Sequence, residues 1–296
     1  MGVYQTNCNA GGVLTGTPIC AVKITEVKKI IFTKPNYTIA LAQLDGASFA
    51  EVFEAGVIAG TVFPLPIAKF SSKSDVAPTV NEVSGEQEFT GDPERRLVYE
   101  LKNAAGCLGI NLRQFNNQKL KAFFVDSKDQ LMFRSDGVNA FGYNLSDVWF
   151  DAPDMFVEYG KTAVQMVRFN ISANELSTNQ ASIIQLPFPY TDINGIVGVD
   201  LSVNSFTHST TGTIIVDVVE SCNQNTGVTG LLPASFNVVQ GGVTIAVSTA
   251  TESTTIDGRY TLTGVVMTDD DFSVLVVPTT GVLVSGSVAY TVPAGS

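Results

Sequence analysis

From Gly198 onward, short runs rich in Val, Ile, Thr, Tyr and Phe recur every 8–15 residues, separated by Gly, Asn, Asp or Pro. Seven such runs are legible: Val199–Val203, Thr213–Val219, Ala234–Val239, Val243–Ser248, Tyr260–Val266, Phe272–Val277 and Gly286–Val292. Punctuation this dense leaves no room for a long helix. Short β-branched segments at that spacing close into antiparallel sandwiches or barrels. Residues 196–296 are therefore expected to form an Ig-like β-sandwich, without the buried Cys…Trp…Cys set of antibody domains. The stretch Asp257-Gly-Arg-Tyr-Thr-Leu-Thr-Gly264 has the turn-then-strand form of such modules and marks fold rather than activity.

The preceding residues read differently. Residues 1–20, with Gly11-Gly12, Gly16 and Pro18, have little to bury and read as an irregular arm. Ala21–Phe32 alternates and predicts a strand, and Tyr37–Leu44 predicts another. Ser48 and Glu51 form a capping box that opens a helix through Phe49, Val52, Phe53 and Val57. Gly60 suits its stop, and Pro64 and Pro66 forbid its continuation. Residues 71–93 are polar and read as a long loop or an extended hairpin. Leu97–Leu101 reads as a strand, with a helix opened by Asp92-Pro93 through Leu97, Leu101 and Ala105 as the alternative, and Cys107–Phe115 reads as a second helix. Leu120–Asp126 and Leu131–Arg134 make a hairpin around Ser127–Gln130, and Asp136-Gly137 is a further turn. Val148–Phe150, Met155–Tyr159 and Thr162–Ile171 read as strands, while Leu186–Pro189 connects. The fold class expected is mainly β: a sandwich or barrel with one or two short helices over residues 21–195, then the Ig-like sandwich.

Charge supports a boundary near residue 195. Residues 195–296 hold one basic residue, Arg259, against eight acidic ones, a net of −7, and the other 194 residues carry −4. A length of 296 residues also fits about two domains. With 17 basic against 28 acidic residues, a surface held by phosphate contacts is excluded. An apolar content of 45% excludes intrinsic disorder.

Candidate chemistry is sparse. The single histidine, His208, lies in the polar turn Ser205–Gly212 and reads as a solvated loop residue. No G-x-S-x-G elbow accompanies it. Acidic residues fall mostly in turns, although only a fold could show whether two of them meet across a cleft. Asp269-Asp270-Asp271 departs from the EF-hand pattern and reads as a hairpin turn. Gly106-Cys-Leu-Gly109 is too short for a phosphate cradle. Asn36, Asn144 and Asn170 head N-x-[ST] sequons of the kind that arise by chance in a Ser/Thr-rich chain. The start Met1-Gly-Val-Tyr-Gln-Thr6 lacks the regions of a Sec signal, and its match to a myristoylation pattern reads as coincidence. Cys8, Cys20, Cys107 and Cys222 show no CxxC spacing. Cys8 and Cys20 could bridge a loop, but without a signal peptide free thiols are expected. The longest apolar candidate, Ile193–Val203, is broken by Asn194, Gly195 and Asp200, so no membrane span is expected. No residue is assigned a catalytic, cofactor-binding or metal-binding role, and the chain reads as a non-enzyme.

An acidic, histidine-poor β protein with an irregular arm and an appended sandwich resembles bacteriophage virion proteins. More specifically, it resembles the tail tube proteins of long-tailed phages. The resemblance implies that the helix opened by Ser48 and Glu51 flanks a β wall built from strands around 120–134 and 162–171. It implies that residues 71–93 and the arm reach neighbouring subunits, and that residues 198–296 decorate the outside. Partners would be copies of the chain and other virion proteins. DNA would pass without specific binding, since like charge prevents phosphate trapping. Localisation would be the virion, after synthesis in the host cytoplasm. Lys23, Lys28 and Lys29 would sit awkwardly on a DNA-facing wall. Other virion parts (a connector ring, head decoration or baseplate protein) share this architecture. A bacterial surface or adhesin module, or an enzyme with an accessory sandwich, are the readings from other classes.

Overall fold

The computed structural model describes residues 26–44, 49–76, 80–83, 86–89, 94–102, 107–152, 164–172, 175, 181–207, 212–265, 271–280 and 282–292. The arm, His208, Asp269, Asp270, and the strand expected at Met155–Tyr159 lie outside these residues. The chain is mainly β and divides into two units, Met1–Asn194 and Gly195–Ser296.

In the first unit the strands are β1 (Val27–Thr33), β2 (Ile39–Ala40), β3 (Val62–Pro64), β4 (Ala68–Val76), β5 (Val80–Val83), β6 (Glu86–Phe89) and β7 (Glu94–Lys102). They continue as β8 (Leu120–Asp126), β9 (Gln130–Ser135), β10 (Asn139–Phe141), β11 (Tyr143–Phe150), β12 (Val164–Ser172) and β13 (Ala181–Gln185). Helices are α1 (Leu41–Leu44), α2 (Phe49–Ile58) and α3 (Cys107–Leu112), the last continued by a 3₁₀ turn at Arg113–Phe115. The expected strand over Tyr37–Leu44 is thus corrected: only Ile39 and Ala40 pair, and the chain then turns into α1.

The curled main sheet runs β2-β10-β9-β8-β11-β12-β7-β4, with β1 beside β8 and β13 beside β9. One edge of β8 serves two neighbours: β11 takes Leu120–Ala122 and β9 takes Phe124 and Val125. The branch requires a close approach at Gly142, where a Cβ would sit 2.8 Å from the Ala122 backbone. The concave core is aromatic, with Phe32 edge-on to Phe115, Phe150 and Phe169 at 5.9–6.3 Å. β1 and β8 are buried on both faces, because α2 covers the far side and sets Phe53 6.0 Å from Phe123. α2 ends as its sequence dictates: Gly60 turns left-handed at φ 63°, and Thr61 N donates to Gly56 O.

β4 and β7 form a long antiparallel ladder from Ala68–Leu101 to Val76–Glu94. β5 and β6 pair with each other in a separate two-stranded sheet. The described part of residues 71–93 is thus paired strand, as in an extended hairpin.

The second unit contains β14 (Val197–Thr207), β15 (Gly212–Glu220), β16 (Asn223–Gly227), β17 (Phe236–Gln240) and β18 (Val243–Ala246). β19 (Thr249–Glu252), β20 (Arg259–Val265), β21 (Phe272–Val276) and β22 (Val284–Tyr290) complete it. All seven expected strands are present, and β16 and β19 are additional. Order is β18-β17-β21-β22-β14-β15-β20-β19, with β16 on β15 and the short β14–β22 contact parallel. Alternation is strict: Ile214, Val216 and Val218 of β15 face the core with Tyr260, Leu262, Val238 and Val274. The buried Tyr260 hydroxyl donates to Val228 O and accepts from Leu231 N, pinning the loop after β16. Gly258, at φ 77°, lets its carbonyl accept from Val218 N where any side chain would strike that strand.

Candidate functional site

A polar groove of about 570 Å³ lies in the first unit between the start of β8 and the middle of β11. Its lining includes Asn117, Gln118, Lys119, Lys121, Asn144 and Asp147. Two of its residues hold left-handed backbone, Asn117 at φ 61° and Asp147 at φ 51°. Asn and Asp are the non-glycine types that tolerate this region best. Each has a local reason. Asn117 N donates to Val148 O, and the neighbouring Asn116 side chain clamps Phe150 through both its N–H and its carbonyl. Asp147 sits in a bulge of β11 against β12, where register shifts between Ser146 and Trp149.

Two side-chain networks flank the groove. In one, Lys121 and Arg134 both approach the Phe141 ring, at 5.4 and 5.3 Å from its centroid. Arg134 pairs with Glu175, whose carboxylate also accepts from the Asn144 backbone N at 3.1 Å and Nδ2 at 2.9 Å. Lys121 forms no ion pair with any described residue. Burial, then the Arg134 charge, lowers its ammonium pKa, and Glu175 opposes the shift.

The second network answers the question of paired carboxylates. Glu94 and Asp147, distant in sequence, meet at Asn170, whose Nδ2 donates to Glu94 Oε2 at 2.8 Å and to Asp147 Oδ2 at 3.0 Å. Ser146 Oγ donates to the other Glu94 oxygen, and Arg96 Nε donates to Asn170 Oδ1. The Asn170 residue is only 3% exposed. Both carboxylates thus spend an oxygen on a fixed amide, an arrangement that braces β7, β11 and β12. Chemically, the groove offers ammonium and amide donors to an anionic or strand-like ligand.

In the second unit the outward rows of β18, β17, β21 and β22 are Thr244–Val239–Ser273–Ala289 and Ala246–Asn237–Leu275–Ser287. They carry no charge and enclose a shallow concavity of about 300 Å³. On the other sheet Arg259 grips Asp217 through Nε at 2.6 Å and Nη2 at 2.8 Å. These hydrogen bonds hold the Asp217 carboxyl below its usual pKa.

The residues singled out from sequence are scattered. Asp271 accepts from Val292 N. Gly109 lies in α3 and offers its carbonyl to Gln165 Nε2. Of the sequons, Asn36 is exposed and Asn144 is bonded to Glu175, while burial and bonding make the Asn170 amide inaccessible to glycosylation. Lys28 pairs with Glu26, but Lys29 is buried at 5% exposure. Cys222 is disulfide-bonded, which corrects the expectation of free thiols at that position. Among the described residues no three His, Cys, Asp or Glu side chains form a group that could hold a metal, and no helix is long and apolar enough to cross a membrane. Sequence reasoning missed the groove, whose one local signal is the Asn116-Asn117 pair ahead of β8. No protein-family model matches the chain, and no curated protein matches it.

Proposed function

We propose that the chain is a structural protein of a long-tailed bacteriophage virion, the tail tube subunit that stacks in rings around a DNA-conducting lumen. Its function is repeated self-association rather than a reaction. The observation that carries this reading is the β5–β6 pair, which lies in the chain between β4 and β7 and, among the described residues, pairs with no other strand. A two-stranded ribbon is marginal in water on its own and gains stability when a further surface covers it. The curled sheet of the first unit suits a wall, and the separate sandwich suits an external decoration. A net charge of −11 suits a conduit to which DNA does not adhere.

Negative-stain electron microscopy of the purified chain across concentration and salt tests the reading. Rings or tubes with a central lumen are expected, and their diameter and symmetry separate a tube from a connector. Monomers throughout the series would overturn it in favour of a decoration or binding module. A glycan-binding screen of residues 195–296 would then follow.

A further inference from the structure

The acidic ribbon and the lysine-bearing groove are complementary, and resting on the self-association reading above we propose that they dock: the groove of one copy receives the β5–β6 hairpin of a second. Residues 74–93 contain five carboxylates, Asp75, Glu82, Glu86, Glu88 and Asp92, and no Lys or Arg. A segment so one-sided repels copies of itself and needs a cationic surface to be held. Among the described residues its strands pair only with one another, and the outer edge of each offers backbone N–H and C=O groups to a partner.

The groove offers what such a segment lacks. Lys119 and Lys121 line it, and neither forms an ion pair with a described residue, in a chain with 28 acidic side chains available. Its own acidic member, Asp147, is occupied by Asn170. Lys121 is desolvated, beside Arg134, and an incoming carboxylate relieves both penalties at once. Asn117, Gln118 and Asn144 add amides able to serve both N–H and C=O groups of an extended backbone. A groove of about 570 Å³ accommodates a few side chains at a hairpin tip rather than a whole domain.

The test mixes ¹⁴N- and ¹⁵N-labelled full-length chain, follows association by sedimentation velocity, and applies a zero-length carbodiimide cross-linker before mass spectrometry. Mixed-isotope cross-links from Lys119 or Lys121 to Glu82, Glu86 or Glu88 are expected. The variant Lys119→Glu/Lys121→Glu should lose at least tenfold in association constant, as should Glu82→Lys/Glu86→Lys/Glu88→Lys, and mixing the two should restore it. Lys119 and Lys121 line the groove, and circular dichroism of each variant verifies folding. Association that persists without these cross-links, or groove lysines linked instead to carboxylates of residues 195–296, would overturn the docking and leave the assembly reading standing. A chain that stays monomeric at every concentration would overturn both.

Discussion

Lys29 shows how much one side chain reveals about its surroundings. It lies buried in β1, and desolvation lowers its pKa from 10.5 to about 8. Below pH 8 it is charged in both folded and unfolded chains, and its burial penalty is constant. Between about 8 and 10.5 the unfolded chain keeps a proton that the folded chain has lost, so stability rises with pH. Above pH 10 the sign reverses. Burial pushes Tyr37 and Tyr260 up to about 12, and Tyr99 and Tyr143 further up, so the unfolded chain sheds phenolic protons that the fold retains. Chemical denaturation at fixed temperature should therefore show maximal stability between about pH 8 and 10. Lys29→Met should add up to about 3 kcal/mol at pH 7 and abolish the rise while sparing the alkaline fall. A wild-type-like rise in that variant would show that Lys29 is not its source. Asn170 makes the opposite case. Asn170→Ala leaves Glu94 and Asp147 facing each other without the shared amide, and should cost about 1–3 kcal/mol in urea unfolding.

At the scale of elements, the strands of the second unit were legible because each needs only alternation and a turn residue to declare itself. β15 reads buried at every second position, as its sequence does. The Tyr260 clamp, by contrast, depends on a loop that no local pattern announces. Tyr260→Phe should lower the stability of this unit by about 1–3 kcal/mol, seen as a lower midpoint in thermal melts of residues 195–296. Alternation was a poorer guide to β1, whose two faces are both buried under neighbours remote in sequence. Tyr37–Leu44 failed as a strand for a similar reason. Leu41 N bonds to Val138 O and the chain then turns into α1, a contact that local propensity does not encode. The groove was invisible for the same cause, since β8 and β11 become neighbours only through the Gly142 approach. Replacing residues 77–92 by a short Gly-Ser turn should leave the melting of the first unit within a few degrees of wild type. On the proposed function, it should also remove self-association in sedimentation experiments.

For the whole molecule, the composition change near residue 195 falls at the division between the two units. Trp149, the single tryptophan, lies in the first unit at 43% exposure, so its fluorescence reports that unit alone. If the units unfold independently, the fluorescence and far-ultraviolet dichroism transitions should separate in urea, and coincident curves would show one cooperative body. On the proposed function, deleting residues 1–20 should leave a folded chain that does not polymerise, and normal tubes from that truncation would dismiss a role for the arm. By itself the sequence determined the β class, the strand periodicity of residues 196–296, the turns at Ser127–Gln130 and Asp136-Gly137, and the end of α2. These follow from interactions among residues a few positions apart, such as the Asp126 carboxylate accepting from Lys128 N and Gln130 N. Tertiary structure alone decided that Lys29 is buried, that Asn170 joins Glu94 to Asp147, and that Lys119 and Lys121 share a groove with Asn144. Those outcomes depend on which strands pair, and pairing is settled by the summed burial of both sheet faces, a quantity that no single segment carries.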